Sequence, residues 1–195
     1  IDGSSLAFTN SIEEVGTIEL EADRRFFKVR KNINYIDKEN DIEMIIVPLE
    51  EDEFRLTVMV DYNSPILGTQ HARLESLSYF SKEIAPCRTF VFMKEIKTLA
   101  EQGLIKGGDV GNALLLAERP YSKKELQTIA EAMGRKELGV VEDEAGVVST
   151  SPLRFPNEPA RHKLLDILGD IALTGRYIHG HVLAARPGHE ANVEF

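Results

Sequence analysis

The sequence predicts an α+β fold, in which mostly antiparallel strands come first and helices come later along the chain. Residues 25–62 contain three extended segments separated by polar turns at 37–41 and 50–53, which is the pattern of a three-stranded meander. Two later segments, 122–133 and 157–175, begin with the cap residues typical of helices. At 195 residues, the chain is long enough to bury a sizeable core.

The remaining elements are placed by their turn and cap residues. Pro86 stops a short helix, Gly103 ends the next one, and Ser122 with Glu125 forms a capping box. The unbroken apolar run at 112–117 is typical of a buried strand. In order, we expect a strand at 73–79, a helix at 81–85, an extended segment at 88–92, a helix at 94–102, a strand at 112–117 and a helix at 122–133. After these we expect a loop or partly ordered excursion at 142–156, a helix at 157–175, a strand at 177–185 and the start of a helix near 189.

The composition argues against two classes of protein. The formal net charge is −9 and the sequence has no basic stripe that could displace counterions from phosphates, so nucleic acid is not expected as a partner. A local basic pocket for a small phosphate ligand stays open. The sequence has no run of 18 apolar residues, so no membrane-spanning helix is expected. The single cysteine, Cys87, cannot form an internal disulfide, which fits a reducing compartment. The first residues, Ile1-Asp2-Gly3, are neither a signal peptide nor an initiator methionine, so we expect a segment to precede them.

The helix at 157–175 organises the rest of the chain. We expect Asn157 to cap it, Glu158 to complement the positive end of the helix dipole and Pro159 to be tolerated in the first turn. Gly175 is expected to end the helix in a left-handed conformation. The apolar stripe that would face the core consists of Leu164, Leu165, Ile167, Leu168, Ile171 and Ala172.

One edge of that stripe carries candidate metal ligands. His162, Asp166 and Asp170 recur every four residues, so they form a column along the helix. An imidazole and a carboxylate one turn apart can bind the same zinc ion, but a catalytic zinc requires about three protein ligands and this helix supplies two. The alternative is an ordinary His–Asp hydrogen bond at a helix edge, and the spacing alone does not decide between the two.

His189 is a candidate acid–base residue. It follows Pro187-Gly188, a pair that bends the backbone tightly and presents the next side chain to solvent or a cleft. The last strand starts just after the central helix and can return beside it, which would bring His189 near Asp170. A carboxylate at that distance would stabilise the protonated imidazole and hold it as a proton donor. The alternative is an exposed loop histidine with no catalytic role.

Other polar features have more ordinary interpretations. His179 and His181 share one face of a strand, which we interpret as a solvated face. Lys163 lies within one turn of Asp166 and either pairs with it or binds a ligand phosphate. The sequence has no Gly-x-Ser-x-Gly elbow, dinucleotide fingerprint or Walker-type loop, so these hydrolase and nucleotide-binding classes are not expected.

Five segments taken together resemble one known family. In chain order they are Ile1-Asp2-Gly3-Ser4, Arg88-Thr89-Phe90, the run Gln-Gly-Leu-Ile-Lys-Gly-Gly at 102–108, the run Arg-His-Lys-Leu-Leu-Asp at 161–166 with Gly169-Asp170, and Gly188-His189. In this order the segments cover nearly the whole chain. They are similar to the zinc-dependent UDP-3-O-acyl-N-acetylglucosamine deacetylases of lipid A biosynthesis.

This resemblance implies an architecture. The family folds as two similar α+β domains with the active site between them, and the chain resembles the second domain. We therefore expect a two-layer sandwich of a mostly antiparallel sheet packed on helices, with a small βαβ insert. Residues 1–24 would be the tail of the first domain and a linker, and 25–195 the second domain, with the insert at 88–117 and an extra segment without an assigned role at 118–156.

The resemblance also implies roles for residues of the central helix and the last loop. His162 and Asp166 fall on two of the family's three zinc ligands. Lys163 falls on a residue that contacts the substrate diphosphate. Asp170 and His189 fall on the coupled carboxylate–histidine pair, with His189 as the general acid for the leaving amine.

Further roles are implied for the insert. Thr89 falls on the hydroxyl that stabilises the tetrahedral intermediate. A long acyl chain needs an apolar slot, which the family builds as a tunnel in the insert. The residues that fall on or near this tunnel are Phe90, Ile96, Ile105, Gly108, Ala113 and Leu115.

From the resemblance we expect the C-terminal half of a cytoplasmic zinc amidohydrolase that removes the N-acetyl group from UDP-3-O-acyl-N-acetylglucosamine. The family's third zinc ligand, a histidine, and its general-base glutamate lie in the first domain. That domain is therefore an expected partner, and the isolated chain is expected to be inactive or nearly so. The lipid substrate implies transient contact with the inner membrane surface. Some relatives continue into a hydroxyacyl-carrier-protein dehydratase, and the sequence leaves open a fused or adjacent one here.

Two other functions stay open. The fold could serve a non-catalytic ligand-binding or assembly module, but such a module has no need for His162, Asp166, Asp170 and His189 together. A zinc amidohydrolase for another N-acyl sugar is the second alternative, and the tunnel residues argue against it.

Overall fold

The computed structural model describes residues 2–102, 113–134, 138, 141–142, 146–149 and 151–195. The chain divides into two compact units. The small unit comprises Ile1–Gly3, Asp61–Thr69 and Arg88–Pro156. The large unit comprises Ser4–Val60, Gln70–Cys87 and Asn157–Phe195.

Five strands follow one another early in the chain, and helices and strands are interspersed after them, as in an α+β protein. The helices are α1 (Leu6–Val15), α2 (Phe80–Glu83), α3 (Met93–Glu101), α4 (Lys123–Ala132), α5 (Glu158–Ala172) and α6 (His189–Glu194), with a 3₁₀ turn at Leu77–Tyr79. The strands are β1 (Phe26–Lys28), β2 (Ile33–Asp37), β3 (Ile42–Val47), β4 (Phe54–Asp61), β5 (Thr69–Leu74), β6 (Phe90–Phe92), β7 (Leu114–Leu116), β8 (Val141–Glu142), β9 (Val147–Ser149) and β10 (Tyr177–Ala185). Within the described part of the chain, no helix is long and apolar enough to cross a membrane.

The large unit is built on a sheet that contains six of the described strands, in the order β2-β3-β10-β4-β5, with β1 beside the start of β10. The last strand, β10, runs antiparallel to β3 and parallel to both β4 and β1. The sheet is therefore mixed, and helices cover it as the α+β prediction requires. The fold class predicted from the sequence is confirmed.

The predicted three-stranded meander is wrong at its third strand. β2 and β3 form the expected antiparallel pair, but β10 lies between β3 and β4. β10 comes from a part of the sequence far from β3 and β4. Local periodicity does not reveal that such a distant strand separates two neighbours in the chain. The predicted strand at 73–79 is also displaced, because β5 ends at Leu74 and a 3₁₀ turn follows.

The core of the large unit consists of rows of apolar side chains that cross the three central strands. Val182 of β10 is in register with Ile46 of β3 and Leu56 of β4, and all three are buried. The next row along β10 repeats this arrangement with Ala184, Met44 and Val58. The helix α5 contributes buried residues with helical spacing, namely Ala160, Leu164 and Ile167. Removal of this apolar surface from water is the main stabilising contribution to the unit.

Both ends of α5 lie close to their predicted positions, but the cap at its start differs. The side chain of Asn157 does not cap the helix. Its Nδ2 donates to the carbonyl oxygen of His71 at 2.7 Å, and its Oδ1 accepts from Nε of Arg161 at 2.9 Å. Arg161 Nη1 also donates to the carbonyl oxygen of Glu83, so this corner joins α5 to α2. At the other end Gly175 has φ +67°, as expected for a left-handed residue past the last turn.

The small unit contains the expected βαβ arrangement. Strands β6 and β7 are parallel, with Phe90 in register with Leu114, and α3 lies in the connection between them. The capping box that the sequence predicts at the start of α4 is present. The predicted loop at 142–156 is wrong in part, because β9 pairs with β7 and β8 pairs with β9. Residues 147–149 of this segment therefore extend the sheet of the small unit.

Candidate metal and acid–base site

The side chain of His162 is buried in the first half of α5, with one ring nitrogen held by the backbone. Its Nδ1 lies 3.1 Å from the carbonyl oxygen of Cys87. A carbonyl oxygen can only accept, so Nδ1 carries the hydrogen and Nε2 of the neutral ring carries the lone pair. Burial lowers the pKa of His162, because the charged imidazolium loses hydration there. The ring is thus prepared in the neutral, Nε2-accepting form that a metal ligand requires.

Asp166 lies one turn further along α5 and faces that lone pair. Its Oδ1 is 3.5 Å from Nε2 of His162, which is long for a hydrogen bond. Its Oδ2 accepts from Nζ of Lys163 at 3.0 Å. An ionised carboxylate and the lone pair of a neutral imidazole are both acceptors, and together they match the oxygen and nitrogen ligands of zinc.

These two residues do not belong to a complete metal site within the described residues. Over those ranges, no group of three or more His, Cys, Asp or Glu side chains is arranged to hold a metal ion. His162 and Asp166 can therefore supply two ligands of a site.

Asp170 continues the column by one more turn and binds a residue from α6. Its Oδ2 accepts from Nδ1 of His189 at 2.8 Å and from Nδ2 of Asn192 at 2.8 Å. The His189 side chain is 67% exposed and that of Asp170 is 16% exposed, so the carboxylate is sheltered while the imidazole reaches solvent. Because Nδ1 donates to the carboxylate, Nε2 is the ring nitrogen turned to the outside. The arrangement suits a proton donor that is oriented from behind by a carboxylate.

The packing of α5 against α6 brings these groups together. β10 returns the chain along the sheet after α5, and α6 begins at His189 immediately after the turn that contains Gly188. The backbone N–H of Asn192 donates to the carbonyl oxygen of Gly188, which closes the first turn of α6. His189 and Asn192 are three residues apart on this turn, so both side chains lie on the same face toward Asp170.

Thr89 lies in the small unit, where the backbone around it is closely held. Its amide donates to the carbonyl oxygen of Asp2 at 3.2 Å, and its carbonyl oxygen accepts from the amide of Leu114 at 2.8 Å. A Cβ added to Gly3 would lie 2.5 Å from the Thr89 side chain, so the chain passes Thr89 too closely for any residue but glycine. Asp2 and Gly3, from the Asp-Gly-Ser segment singled out in the sequence, thus lie against Thr89.

The structure brings together some of the residues expected at the acyl tunnel and separates others. Ile96 and Leu115 belong to one buried cluster, with Met93, Ala117, Ile129, Ala130 and Leu138. Phe90 packs on a different cluster, together with Tyr62 and Phe92, whose rings meet edge to face. Ala113 is half-buried at the start of β7. Ile105 and Gly108 lie outside the described residues.

The two other histidines of β10 are half-buried rather than fully solvated as predicted. The ring of His179 packs on Phe26, with centroids 4.2 Å apart, and its Nδ1 lies 3.5 Å from Asp52. His181 Nε2 lies 2.9 Å from Oγ1 of Thr57. Phe26 and Thr57 come from the neighbouring strands β1 and β4, which the pattern of a single strand cannot indicate.

Sequence reasoning missed two groups of the site. The carbonyl oxygen of Cys87 orients His162, and no side-chain pattern could indicate a backbone acceptor from a distant loop. Asn192 donates to Asp170, and its spacing of three residues from His189 was a usable signal once a helix was expected there.

Comparison with known proteins agrees with the resemblance drawn from the motifs. The model of one family, UDP-3-O-acyl N-acetylglycosamine deacetylase (LpxC), matches residues 1–143 and 132–195. The chain is 41% identical over 196 residues to a bifunctional enzyme LpxC/FabZ of Chlorobaculum tepidum. This alignment covers 100% of this chain and 42% of the relative. It is 34% identical over 194 residues to a UDP-3-O-acyl-N-acetylglucosamine deacetylase of Chlamydia trachomatis serovar L2. This alignment covers 98% of this chain and 57% of the relative. The chain thus spans between 42% and 57% of the length of these two relatives, and it belongs to the LpxC family of deacetylases.

Proposed function

We propose that this chain is the second domain of a zinc-dependent deacetylase that removes the N-acetyl group from UDP-3-O-acyl-N-acetylglucosamine in lipid A biosynthesis. The observation that carries the proposal is the pair of acceptors, His162 Nε2 and Asp166 Oδ1, which face each other at 3.5 Å. One turn further along α5, Asp170 binds His189. The family membership supports the substrate class, and the side-chain chemistry supports the reaction.

The two acceptors fit a zinc ion. His162 is neutral, buried and oriented through Nδ1 by a backbone carbonyl, which is the usual outer-shell arrangement of a metal-ligating histidine. Asp166 offers an oxygen at the same place. When bound, zinc activates water as a nucleophile near neutral pH and polarises the amide carbonyl. A first deacetylase domain would supply the third ligand and the general base.

We assign the protonation of the leaving amine to His189. An amine leaves an amide only when it is protonated, and an imidazole is suited to donate that proton near neutral pH. Asp170 accepts from Nδ1 and orients the ring, so Nε2 is the atom that is free to donate. The exposure of His189 leaves this atom accessible to a substrate.

We assign the substrate diphosphate to Lys163. Its ammonium group now pairs with Oδ2 of Asp166. A divalent cation held by Asp166 would weaken that ion pair, since two cations would compete for one carboxylate. The lysine would then be able to pair with a phosphate on the same side of α5.

For the small unit, the proposal rests on the residue match to the family. Thr89 would stabilise the tetrahedral intermediate through its hydroxyl. Phe90 and Ala113, with Ile105 and Gly108, would line the acyl slot. The fully buried Ile96 and Leu115 would support that slot from the core beneath.

The proposal includes the arrangement of the longer protein. Residues 1–24 would be the tail of the first domain and a linker, and 25–195 the second domain. Relatives that are 41% identical carry the name bifunctional enzyme LpxC/FabZ, which supports a dehydratase as a fused or adjacent partner. The reaction would take place in the cytoplasm, and the protein would transiently contact the surface of the membrane to reach its lipid substrate.

A calorimetric zinc titration tests the proposal. The chain is titrated as wild type, as His162→Ala and as His181→Ala, each alone and after addition of a separately expressed first domain of the family. We expect weak zinc binding by the wild-type chain alone and tight binding after the first domain is added. His181→Ala should behave as the wild type, because it removes an imidazole outside the pair. His162→Ala should bind weakly in both cases.

Two results would contradict the proposal. Tight binding by the isolated wild-type chain would mean that the site is complete without a first domain. Equal binding by the wild type and His162→Ala in the assembled form would mean that the metal binds elsewhere.

A further inference from the structure

Asn192 is a buried amide that touches the Asp170–His189 pair. It is 6% exposed, and its Nδ2 donates to Oδ2 of Asp170 at 2.8 Å. The same oxygen accepts from Nδ1 of His189 at 2.8 Å. An ionised carboxylate only accepts, so the amide nitrogen of Asn192 must face it and the amide oxygen must point away. That oxygen, Oδ1, is buried without a hydrogen-bond partner among the described residues.

The unsatisfied oxygen of Asn192 lowers the stability of the folded chain. Burial of a polar atom without a partner costs free energy, which a leucine of similar volume would avoid. Asn192 lines a cavity together with the apolar residues Ile171, Ile178 and Val182, so an apolar side chain would suit the site. What an apolar side chain cannot provide is the N–H that Asp170 accepts.

We propose that Asn192 is a positioning residue for the Asp170–His189 pair; as a role in catalysis, this rests on the function proposed above. The side chain of His189 is largely exposed, so by itself it restrains the Asp170 carboxylate weakly. Held by His189 alone, the carboxylate would rotate about its Cβ–Cγ bond. The donor from Asn192 restrains the rotation and keeps Oδ2 directed at Nδ1 of His189. The neutral imidazole is thereby held in the Nδ1–H form, with Nε2 directed outward.

The tautomer of His189 tests this role directly. The 195-residue chain is labelled with ¹⁵N-histidine, and the ring nitrogens are observed by NMR at a pH where the imidazole is neutral. We expect the Nδ1–H form to predominate in the wild type and to lose that predominance in Asn192→Leu and in Asn192→Ala. Val193→Ala is the matched control, because Val193 is exposed on the same helix and should leave the tautomer unchanged.

Each other outcome counts against the proposal. It is overturned if the wild type lacks the Nδ1–H form, or if folded Asn192→Leu or Asn192→Ala keeps it. It is also overturned if both variants fail to fold, since the role of Asn192 would then be structural. The measurement needs neither zinc nor substrate. A failed zinc titration with a shifted tautomer would therefore refute the proposed function and leave the positioning by Asn192 intact.

Discussion

His162 Nε2 and Asp166 Oδ1 face each other at 3.5 Å across one turn of α5. Because Nδ1 of the same ring is held by the carbonyl oxygen of Cys87, the nitrogen that faces the carboxylate has a lone pair rather than a hydrogen. Two acceptors directed at each other repel, and a cation bound by both removes the repulsion. An ordinary His–Asp hydrogen bond, the alternative that the sequence leaves open, would place a donor between them.

Asp166→Asn should separate metal binding from stability. The new amide can donate to Nε2 of His162, which replaces the repulsion with a hydrogen bond, so the free energy of unfolding of the chain should be unchanged or higher. Zinc affinity in the presence of a first domain should fall by about 100-fold or more, since loss of an outer-shell partner alone costs 10- to 100-fold. Urea unfolding and calorimetry measure the two quantities.

Asp170→Asn is the matched control for that substitution, one turn further along the same helix. It should leave the zinc affinity near that of the wild type. The interpretation of the pair as metal ligands is wrong if Asp166→Asn and Asp170→Asn bind zinc equally well.

Lys163→Ala should have opposite effects on two ligands. It removes the ammonium that competes for Asp166, so zinc should bind more tightly by up to about fivefold, the range of a partly exposed ion pair. It also removes the proposed partner of the diphosphate, so the affinity for uridine diphosphate should fall by about tenfold. Calorimetry on the chain assembled with a first domain gives both values. Lys163→Arg keeps the charge, and a zinc affinity for this variant as high as that for Lys163→Ala would contradict the competition.

Local signals in the sequence predict the helices and strands of this fold well. They predict poorly which strands lie next to each other in the sheet. The capping box at Ser122 and the left-handed Gly175 depend on side chains within a few residues, so the sequence displays them directly. The position of β10 between β3 and β4 depends on contacts between segments far apart in the chain. Alternation of apolar residues shows which face of a strand is buried, but it is the same for any order of strands.

The candidate site shows the same division. The column of His162, Asp166 and Asp170 follows from helical spacing, and the approach of His189 follows from the short path of the chain after α5. The orientation of His162 by Cys87 and the packing of His179 under Phe26 are tertiary contacts between distant segments. Their consequences, a fixed tautomer and a covered ring, have no periodic pattern that could indicate them.

The capping box of α4 should make the small unit sensitive to acid. Arg119, and after it Ser122, lower the pKa of Glu125 from 4.5 to about 2. A carboxyl group whose pKa is lower in the folded state stabilises that state fully above pH 4.5 and loses the contribution as the pH falls toward 2. Glu125→Gln should therefore increase the rate of amide exchange in α4 at pH 6, and the difference from the wild type should shrink near pH 3. Glu131→Gln, on the same helix but outside the box, is the control.

The outcome that would contradict this role is a constant difference. If Glu125→Gln and the wild type differ by the same amount at pH 6 and at pH 3, the carboxylate form of Glu125 does not stabilise α4.

Gly3→Ala should disturb Thr89 more than backbone strain alone would predict. Gly3 has φ +72°, and its added Cβ would lie 2.5 Å from Cβ and Cγ2 of Thr89. Gly134 has a similar φ of +70° in the same unit, but nothing lies within 4 Å of its added Cβ. Both substitutions carry the cost of a left-handed alanine, about 1–2 kcal/mol. Gly3→Ala adds the cost of overpacking, about 1–3 kcal/mol.

The clash should also be visible at a third residue. The carbonyl oxygen of Thr89 accepts from the amide of Leu114 at 2.8 Å, so displacement of Thr89 should expose that amide. We expect faster hydrogen exchange at Leu114 in Gly3→Ala than in Gly134→Ala, together with the larger loss in the free energy of unfolding. Equal effects of the two variants would mean that the chain near Gly3 moves away from Thr89 at little cost, and that the Asp-Gly-Ser segment does not hold Thr89 in place.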